Sequence, residues 1–169
     1  GCGLVDIASV KDVHRSLAGQ LIEAVWTVLP ELEGGYDPEG VDLLDEKLQK
    51  ADSIILGPGF GLAETSRAFI HRLVRKLPSG CPVLFDADGL KLLSQIDHWW
   101  EHLPDAVILT PHPGEMAVLS GLTVDEIQSD RWNIASDFAS RWKVILILKG
   151  AQTVVALPNG GFYINPVGD

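Results

Sequence analysis

The sequence predicts an α/β fold in which helices flank both faces of a mostly parallel central sheet. Short runs rich in β-branched and other apolar residues alternate with longer amphipathic runs, and this alternation is typical of parallel sheets. Several strand-like runs are continuously apolar, as expected for strands covered on both faces. The chain starts without Met inside one strand-like run and stops directly after another, so we expect a fold truncated at both ends.

The first half of the chain begins with a predicted strand over residues 4–8, a short helix over 12–19 and a weaker strand over 24–29. Asp37 followed by Pro38 is a helix-start signal, because Asp can cap the helix and Pro fits its first position. This predicts a helix to about Lys50. Residues 53–56 form an apolar strand, and the next helix ends near residue 77.

The second half continues the alternation, with predicted strands at 82–85, 106–109 and 144–148. Thr123 and Glu126 have the spacing of a capping box at a helix start. The following helix should bury one apolar face, formed by Trp132, Ala135, Phe138, Ala139 and Trp142. The turn at 158–161 predicts a hairpin of strands 153–157 and 162–164. Without repeats or a linker, residues 1–169 are interpreted as a single domain.

The composition excludes several classes of function. Among the 169 residues are 13 Lys and Arg against 23 Asp and Glu, a formal net charge of −10. Nucleic-acid phosphates and anionic membranes would repel such a chain, so neither is an expected partner. Two cysteines fit a reduced, cytoplasmic protein, in which Cys81 is better explained as a small buried side chain than as a nucleophile. No apolar run is long enough to cross a bilayer.

Four predicted strands are followed by polar or glycine-rich segments. In open α/β sheets ligands bind beyond the carboxyl ends of the strands, so we expect these segments to form one ligand-binding rim. The segments are residues 57–61, 86–90, 110–115 and 149–153.

Each segment also has a purely structural interpretation. Gly57–Gly61 could approach an anion or simply make a tight turn. Asp86 and Asp88 could orient a substrate hydroxyl or hydrated Mg²⁺, or Asp88 could cap a helix while Asp86 holds the loop.

The remaining two segments also have both a functional and a structural interpretation. His112 and Glu115 could serve acid–base chemistry and Mg²⁺, or could cap a helix that starts at Pro113. Lys149 could contact a phosphate, or could be a solvated lysine in a hairpin turn.

Taken in order, four motifs resemble those of the ADP- or ATP-dependent NAD(P)H-hydrate dehydratases, a family with the ribokinase-like fold. The motifs are Gly-Pro-Gly-Phe-Gly, Phe-Asp-Ala-Asp-Gly-Leu, Leu-Thr-Pro-His-Pro-Gly-Glu and Leu-Lys-Gly-Ala-Gln-Thr. The resemblance implies a lyase that repairs hydrated NADH or NADPH, with ATP or ADP as phosphoryl donor and Mg²⁺ as cofactor. Phosphorylation would turn the hydrate hydroxyl into a good leaving group.

The resemblance also implies roles for particular residues. Gly61 and His112 would contact the hydrated dinucleotide, and Asp88 is a further candidate on the substrate side. Glu115 would act near Mg²⁺. The adenine nucleotide would be bound by Lys149, Gly150, Ala151, Gln152 and Thr153.

The chain departs from the family pattern at three places. Lys91 stands where the family has Asn, and an N-terminal Gly-Ser…Gly-Ala segment is missing. The Gly-Thr-Gly-Asp loop that should supply the catalytic base does not occur, and Asp169 aligns better with an Asn that precedes this loop. No catalytic residue is therefore assigned, and we expect the chain by itself to be nearly inactive, because a general base typically contributes about 10²–10⁴-fold.

Two other functions remain open: a small-molecule kinase of the same superfamily, acting on a vitamin precursor or sugar, and a nucleotide-binding fragment without chemistry. Family precedent implies a homo-oligomer and, in some relatives, a fused or separate epimerase domain. The sequence does not decide between ATP and ADP.

Overall fold

A computed structural model describes residues 3–167 of the chain. Ten strands and seven α-helices lie within these residues. The strands are β1 (Asp6–Val10), β2 (Val25–Leu29), β3 (Glu31–Leu32), β4 (Gly35–Tyr36), β5 (Ile54–Leu56), β6 (Val83–Phe85), β7 (Val107–Leu109), β8 (Ile145–Leu148), β9 (Thr153–Ala156) and β10 (Phe162–Asn165).

The helices mostly follow the strands, as the alternating pattern predicts. They are α1 (Lys11–Leu17), α2 (Asp45–Lys50), α3 (Glu64–Val74), α4 (Asp88–Leu93), α5 (Pro113–Ser120), α6 (Val124–Ser129) and α7 (Arg131–Trp142), with 3₁₀ turns at Pro38–Leu44 and Trp99–His102. Within residues 3–167 no helix is both long and apolar enough to span a membrane.

The main sheet of the described residues has six strands in the order β10-β9-β8-β7-β6-β5. Strands β5 to β8 are parallel, and β9 and β10 extend the sheet antiparallel. One face is fully buried, with Phe85, Leu109 and Leu146 shielded from solvent, whereas Leu84 and Ile108 on the other face are half-buried. The predicted α/β class with a mostly parallel, helix-flanked sheet is confirmed.

Strands β1 and β2 differ from the prediction of one central sheet. They pair with each other in parallel, from Asp6 opposite Val25 to Val10 opposite Leu29, and form a separate two-stranded sheet. A short hairpin, β3–β4, follows β2 and was not predicted. Its turn has positive φ at both Glu33 (49°) and Gly34 (80°), the geometry of the tight turn that suits two-residue hairpins.

Local signals at helix starts are mostly confirmed. Asp37 accepts a hydrogen bond from the Glu39 N–H, but a 3₁₀ turn precedes α2 where one helix was predicted. Thr123 and Glu126 form the predicted capping box of α6.

Two side chains test the predictions about burial. Cys81 is buried, and burial together with the nearby Asp52 raises the pKa of its thiol, which fits a structural role. Trp132 is the exception to the predicted apolar face of α7, because it is 45% exposed.

Candidate functional site

The strand register brings the four polar segments to one edge of the main sheet. Leu56 lies opposite Phe85, Phe85 opposite Leu109, and Leu109 opposite Leu146. Since the strands are parallel, the residues that follow them emerge at the same edge. We call this edge the rim; it comprises residues 57–61, 86–91, 110–115 and 149–153.

Two glycines join the first two segments of the rim through direct backbone contact. A Cβ on Gly57, whose φ is +125°, would lie 1.9 Å from the carbonyl oxygen of Asp86. A Cβ on Gly89 would lie 2.7 Å from the Cα of Gly57. Side chains are therefore excluded at both positions, and the two loops can approach each other closely.

This close approach connects Gly61 with Asp88. The Gly61 N–H donates a hydrogen bond to Asp88 Oδ2 at 3.1 Å. Asp88 is the first residue of α4 and makes no capping bond; the N-cap position belongs to Ala87. The interpretation of Asp88 as a helix cap is therefore wrong. Lys91 Nζ lies 3.4 Å from Asp88 Oδ1, so the lysine that departs from the family pattern pairs with a candidate substrate-binding residue.

The backbone conformation of Ala87 turns the side chains of Asp86 and Asp88 in different directions. Its φ of 51° and ψ of −127° are far from the extended conformation in which residues two apart point the same way. A non-glycine residue at this φ is strained, and such strain is concentrated at functional sites. Asp86 and Asp88 consequently contact different partners.

Asp86 binds Lys149 from two strands away. Lys149 Nζ donates to Asp86 Oδ1 at 2.7 Å and lies 4.0 Å from Glu115 Oε2. Partial burial by itself would raise the pKa of Asp86, but hydrogen bonds from Lys149, Thr110 and the Ala87 N–H together hold this pKa below its ordinary value of 3.8. Lys149 is therefore not merely a solvated lysine in a turn.

The pairing of Asp86 with Lys149 was missed by sequence reasoning, which expected Asp86 either to orient a substrate hydroxyl or hydrated Mg²⁺ together with Asp88, or to hold its loop. The pairing depends on the strand order, because both residues follow parallel strands with β7 between them. Asp86 and Lys149 are 63 positions apart in sequence, so no local pattern links them.

His112 and Glu115 form a capping box at the start of α5. The ring Nδ1 of His112 accepts hydrogen bonds from the N–H groups of Gly114 at 3.0 Å and Glu115 at 3.3 Å, so the proton of the neutral ring lies on Nε2. Glu115 Oε2 accepts from the His112 N–H at 2.9 Å. The capping interpretation is thus confirmed, yet the His112 side chain stays 54% exposed and can still contact a ligand.

The Lys149–Thr153 segment makes the turn between the antiparallel strands β8 and β9. The Lys149 N–H donates to the Pro111 carbonyl at 2.8 Å, which ties this segment to the His112 motif. Gly150 and Gln152 have positive φ, and the Thr153 hydroxyl donates to the Gly150 carbonyl at 3.0 Å. Ala151 and Gln152 are exposed at the tip of the turn.

The carboxylates of the rim suit a Mg²⁺ ion that is held mainly by the phosphates of a bound molecule. Within the described residues no group of three His, Cys, Asp or Glu side chains could enclose a metal ion. The carboxylates of Asp86 and Glu115 flank Lys149, and Mg²⁺ typically binds one or two carboxylates together with substrate phosphates. The Glu115 side chain is only 5% exposed and already accepts the capping bond, so its metal role stays a prediction.

Contacts thus run through the rim from Gly61 to Asp88, and from Asp86 through Lys149 to Glu115. Two surface cavities, of about 400 and 500 Å³, lie away from it. Asp169 lies outside the described residues.

Comparison with known proteins identifies relatives over the whole chain. The model of the NAD(P)H-hydrate dehydratase family matches residues 1–169. The bifunctional NAD(P)H-hydrate repair enzyme Nnr of Moorella thermoacetica is 37% identical over 170 aligned residues, which cover 100% of this chain and 32% of that protein. The chain therefore spans about a third of the length of this relative.

Two solved structures are similar in fold. An ADP/ATP-dependent NAD(P)H-hydrate dehydratase from Bacillus subtilis, co-crystallised with ATP/Mg²⁺ and soaked with CoA, has a TM-score of 0.72 and 28% identity, covering 100% of this chain and 57% of that one. A ribokinase-like superfamily protein from Enterococcus faecalis has a TM-score of 0.75 at 22% identity, covering 93% of this chain and 51% of that one. The fold is therefore ribokinase-like.

Proposed function

Because the chain belongs to the NAD(P)H-hydrate dehydratase family, we propose that the full-length protein dehydrates hydrated NADH or NADPH with ADP or ATP as phosphoryl donor. The observation that carries this proposal is the contact of Lys149 with Asp86 and, at 4.0 Å, with Glu115 of the His112 motif. This contact brings the segment proposed to bind the nucleotide beside the motif proposed to bind the substrate.

The reaction has two chemical steps. The hydroxyl of the hydrated nicotinamide ring loses its proton as its oxygen attacks the terminal phosphorus of the nucleotide, and the bond from phosphorus to the leaving AMP or ADP breaks. The ring then loses phosphate, which carries away the hydroxyl oxygen, and a proton, so that the carbon–carbon double bond returns. Hydroxide leaves poorly, whereas phosphate leaves well, and this difference explains the need for a nucleotide.

The residues divide between the two ligands according to their place on the rim. We assign the adenine nucleotide to Lys149, Gly150, Ala151, Gln152 and Thr153, whose turn presents a lysine and the exposed backbone at its tip to a phosphate. Gly61, Asp88 and His112 are assigned to the hydrated dinucleotide. The Gly61–Asp88 hydrogen bond and the exposed His112 ring support this assignment.

Mg²⁺ bound to the nucleotide would neutralise charge on the phosphoryl group during transfer. Glu115 and Asp86 are the residues placed to hold it, directly or through water, next to Lys149. The rim has two lysines, Lys91 and Lys149, against the three carboxylates of Asp86, Asp88 and Glu115. An added cation would therefore help this edge to bind an anionic ligand.

The proposal is tested by incubating the full-length protein with hydrated NADH, Mg²⁺ and either ADP or ATP. Recovery of reduced-nicotinamide absorbance that requires the nucleotide is the expected result, and comparison of the two nucleotides decides the preferred donor. Absence of recovery with both would reject the dehydratase. Phosphorylation of a vitamin precursor or sugar instead would identify a kinase, and nucleotide uptake without chemistry would identify a binding module.

The proposal also covers the oligomeric state, the compartment and an accompanying activity. We expect a homo-oligomer in the cytoplasm, and an epimerase activity either fused or separate, since the Moorella relative is named bifunctional. Light scattering at several protein concentrations tests the oligomeric state.

A further inference from the structure

Arg131 contacts the backbone that leads into the Lys149–Thr153 segment. It is the first residue of α7, and its Nη2 donates hydrogen bonds to the carbonyl oxygens of Leu148 at 3.1 Å and Lys149 at 3.2 Å. Its Nη1 donates to Gln128 Oε1 at 2.8 Å. One guanidinium therefore holds two successive carbonyls at the end of β8.

Gly150 lies directly against the same guanidinium. A Cβ at position 150 would lie 3.3 Å from Nη2 and 3.4 Å from Nη1 of Arg131, tighter than most side-chain contacts. Gly150 also has a φ of +131°, which side chains rarely tolerate. Both features fit a backbone that rests on the flat guanidinium group.

Stability alone gives a poor account of this arginine. Its Nε is buried without a hydrogen-bond partner, and no carboxylate within residues 3–167 forms an ion pair with it. Burial lowers the pKa of the guanidinium, as expected for a cation partly removed from water. Buried donors without partners are uncommon because they weaken the folded state, so their presence calls for another explanation.

We propose that Arg131 is a positioning residue for the adenine nucleotide: its planar guanidinium fixes the backbone of Leu148 and Lys149 so that the following turn is preformed for the ligand. This inference rests on the proposed function, which assigns the nucleotide to residues 149–153. A preformed turn loses less conformational freedom on binding, and therefore binds more tightly. Nη2 holds both carbonyls while Nη1 is fixed by Gln128, and the single nitrogen of an ammonium group cannot reproduce this arrangement of two rigidly joined donors.

The test is a calorimetric titration of the full-length protein with ADP plus Mg²⁺ and, separately, with hydrated NADH. The variants are Arg131→Lys and Arg131→Met. Arg141→Met is the matched control, since Arg141 lies on the same helix but stacks over the Trp100 ring at 5.6 Å. Gln128→Met removes only the acceptor of Arg131 Nη1 and serves as a milder variant in case the others do not fold.

We expect both Arg131 variants to weaken ADP binding by about tenfold or more, the effect of losing hydrogen bonds from a charged group. Gln128→Met should weaken it less, hydrated NADH should bind almost unchanged, and Arg141→Met should affect neither ligand. Wild-type ADP affinity in Arg131→Lys, or equal weakening of both ligands, would overturn the positioning role. If the wild-type protein binds no ADP at all, the proposed function itself fails.

Discussion

Two groups of charged side chains in this molecule use the same chemistry in different places. The surface cluster consists of Asp42, Asp45, Arg72 and Lys76, and it joins the 3₁₀ turn and α2 to α3. The rim cluster consists of Lys149, Asp86 and Glu115, which follow or begin elements at the carboxyl edge of the main sheet.

In the surface cluster the number of cations equals the number of carboxylates, two of each. Lys76 donates to both Asp42 and Asp45, and Arg72 donates to Asp42. The hydrogen bond from Lys76 holds the pKa of Asp42 below its ordinary value, although desolvation opposes it, and Arg72 adds to the lowering. Both carboxylates are about half exposed, so this network contributes little to stability and leaves no charge for a ligand.

In the rim cluster a single lysine faces two carboxylates, one of them almost completely buried. Backbone elements fix all three groups, because Asp86 and Lys149 follow β6 and β8, which both pair with β7, and Glu115 lies in the capping box of α5. A bound phosphate or Mg²⁺ can therefore replace an existing partner without reorganising the fold. The difference between the clusters is therefore one of position: the rim cluster lies at the carboxyl ends of the strands, where open α/β sheets bind ligands, and the surface cluster does not.

The largest effect is expected from Lys149→Met. It removes the cation proposed to contact the nucleotide and leaves Asp86 and Glu115 without their shared partner. ADP affinity should fall by about 10²-fold, the magnitude of a lost charge-assisted contact to phosphate. Calorimetric titration measures it, with Lys76→Met as the control that should bind ADP like the wild type. Equal ADP affinity in the two variants would remove the distinction between the clusters.

The two capping boxes allow a sharper comparison, because only one belongs to the rim. His112→Ala and Thr123→Ala each remove a helix cap, so each should lower the free energy of unfolding by about 0.5–2 kcal/mol. Only His112→Ala should also weaken the binding of hydrated NADH, because His112 lies on the rim and Thr123 does not. Urea unfolding measures the effect on stability, and ligand titration measures the effect on binding. If Thr123→Ala weakens the binding of hydrated NADH as much as His112→Ala does, the role of His112 is structural.

The smallest effect concerns stability in acid. A carboxylate whose folded-state pKa is depressed stabilises the fold above its unfolded pKa, and this stabilisation is lost as the pH falls through the folded value. Asp86 is such a group, so Asp86→Asn should flatten the loss of stability at pH below about 3.8. Asp42→Asn should do the same, since the pKa of Asp42 is also lowered.

Thermal unfolding from pH 5 to pH 2 measures both variants. The difference between the clusters should then appear in ADP binding, which Asp86→Asn changes and Asp42→Asn does not. An unchanged acid profile in Asp86→Asn would contradict the ion pair with Lys149.

Local signals explain what the sequence could predict. The apolar runs of β5 to β8 and the glycine- or proline-containing segments after them are short-range patterns, so the strands and the rim followed from them. The hairpin at Glu33 and Gly34 escaped prediction because its strands have only two residues each. The separate pairing of β1 with β2 depends on tertiary contacts, and neither strand carries a local sequence pattern that predicts it.

The candidate site residues could be named from the sequence, but their contacts could not. Lys149, His112 and Asp88 could be named from their positions after strands. The partners Asp86 for Lys149 and Gly61 for Asp88 depend on strand order and on the backbone contact of Gly57 with Gly89, which only coordinates provide. The assignment of residues 1–169 to a single domain stays a prediction.

The most direct test of the account is the amount of phosphate released per nicotinamide ring restored, measured with the full-length protein, hydrated NADH, ADP and Mg²⁺. We expect about one phosphate for each ring, since the phosphoryl group leaves with the hydroxyl oxygen, and a strong loss of both signals in Lys149→Met. Ring restoration without phosphate release, or undiminished by the loss of Lys149, would contradict it.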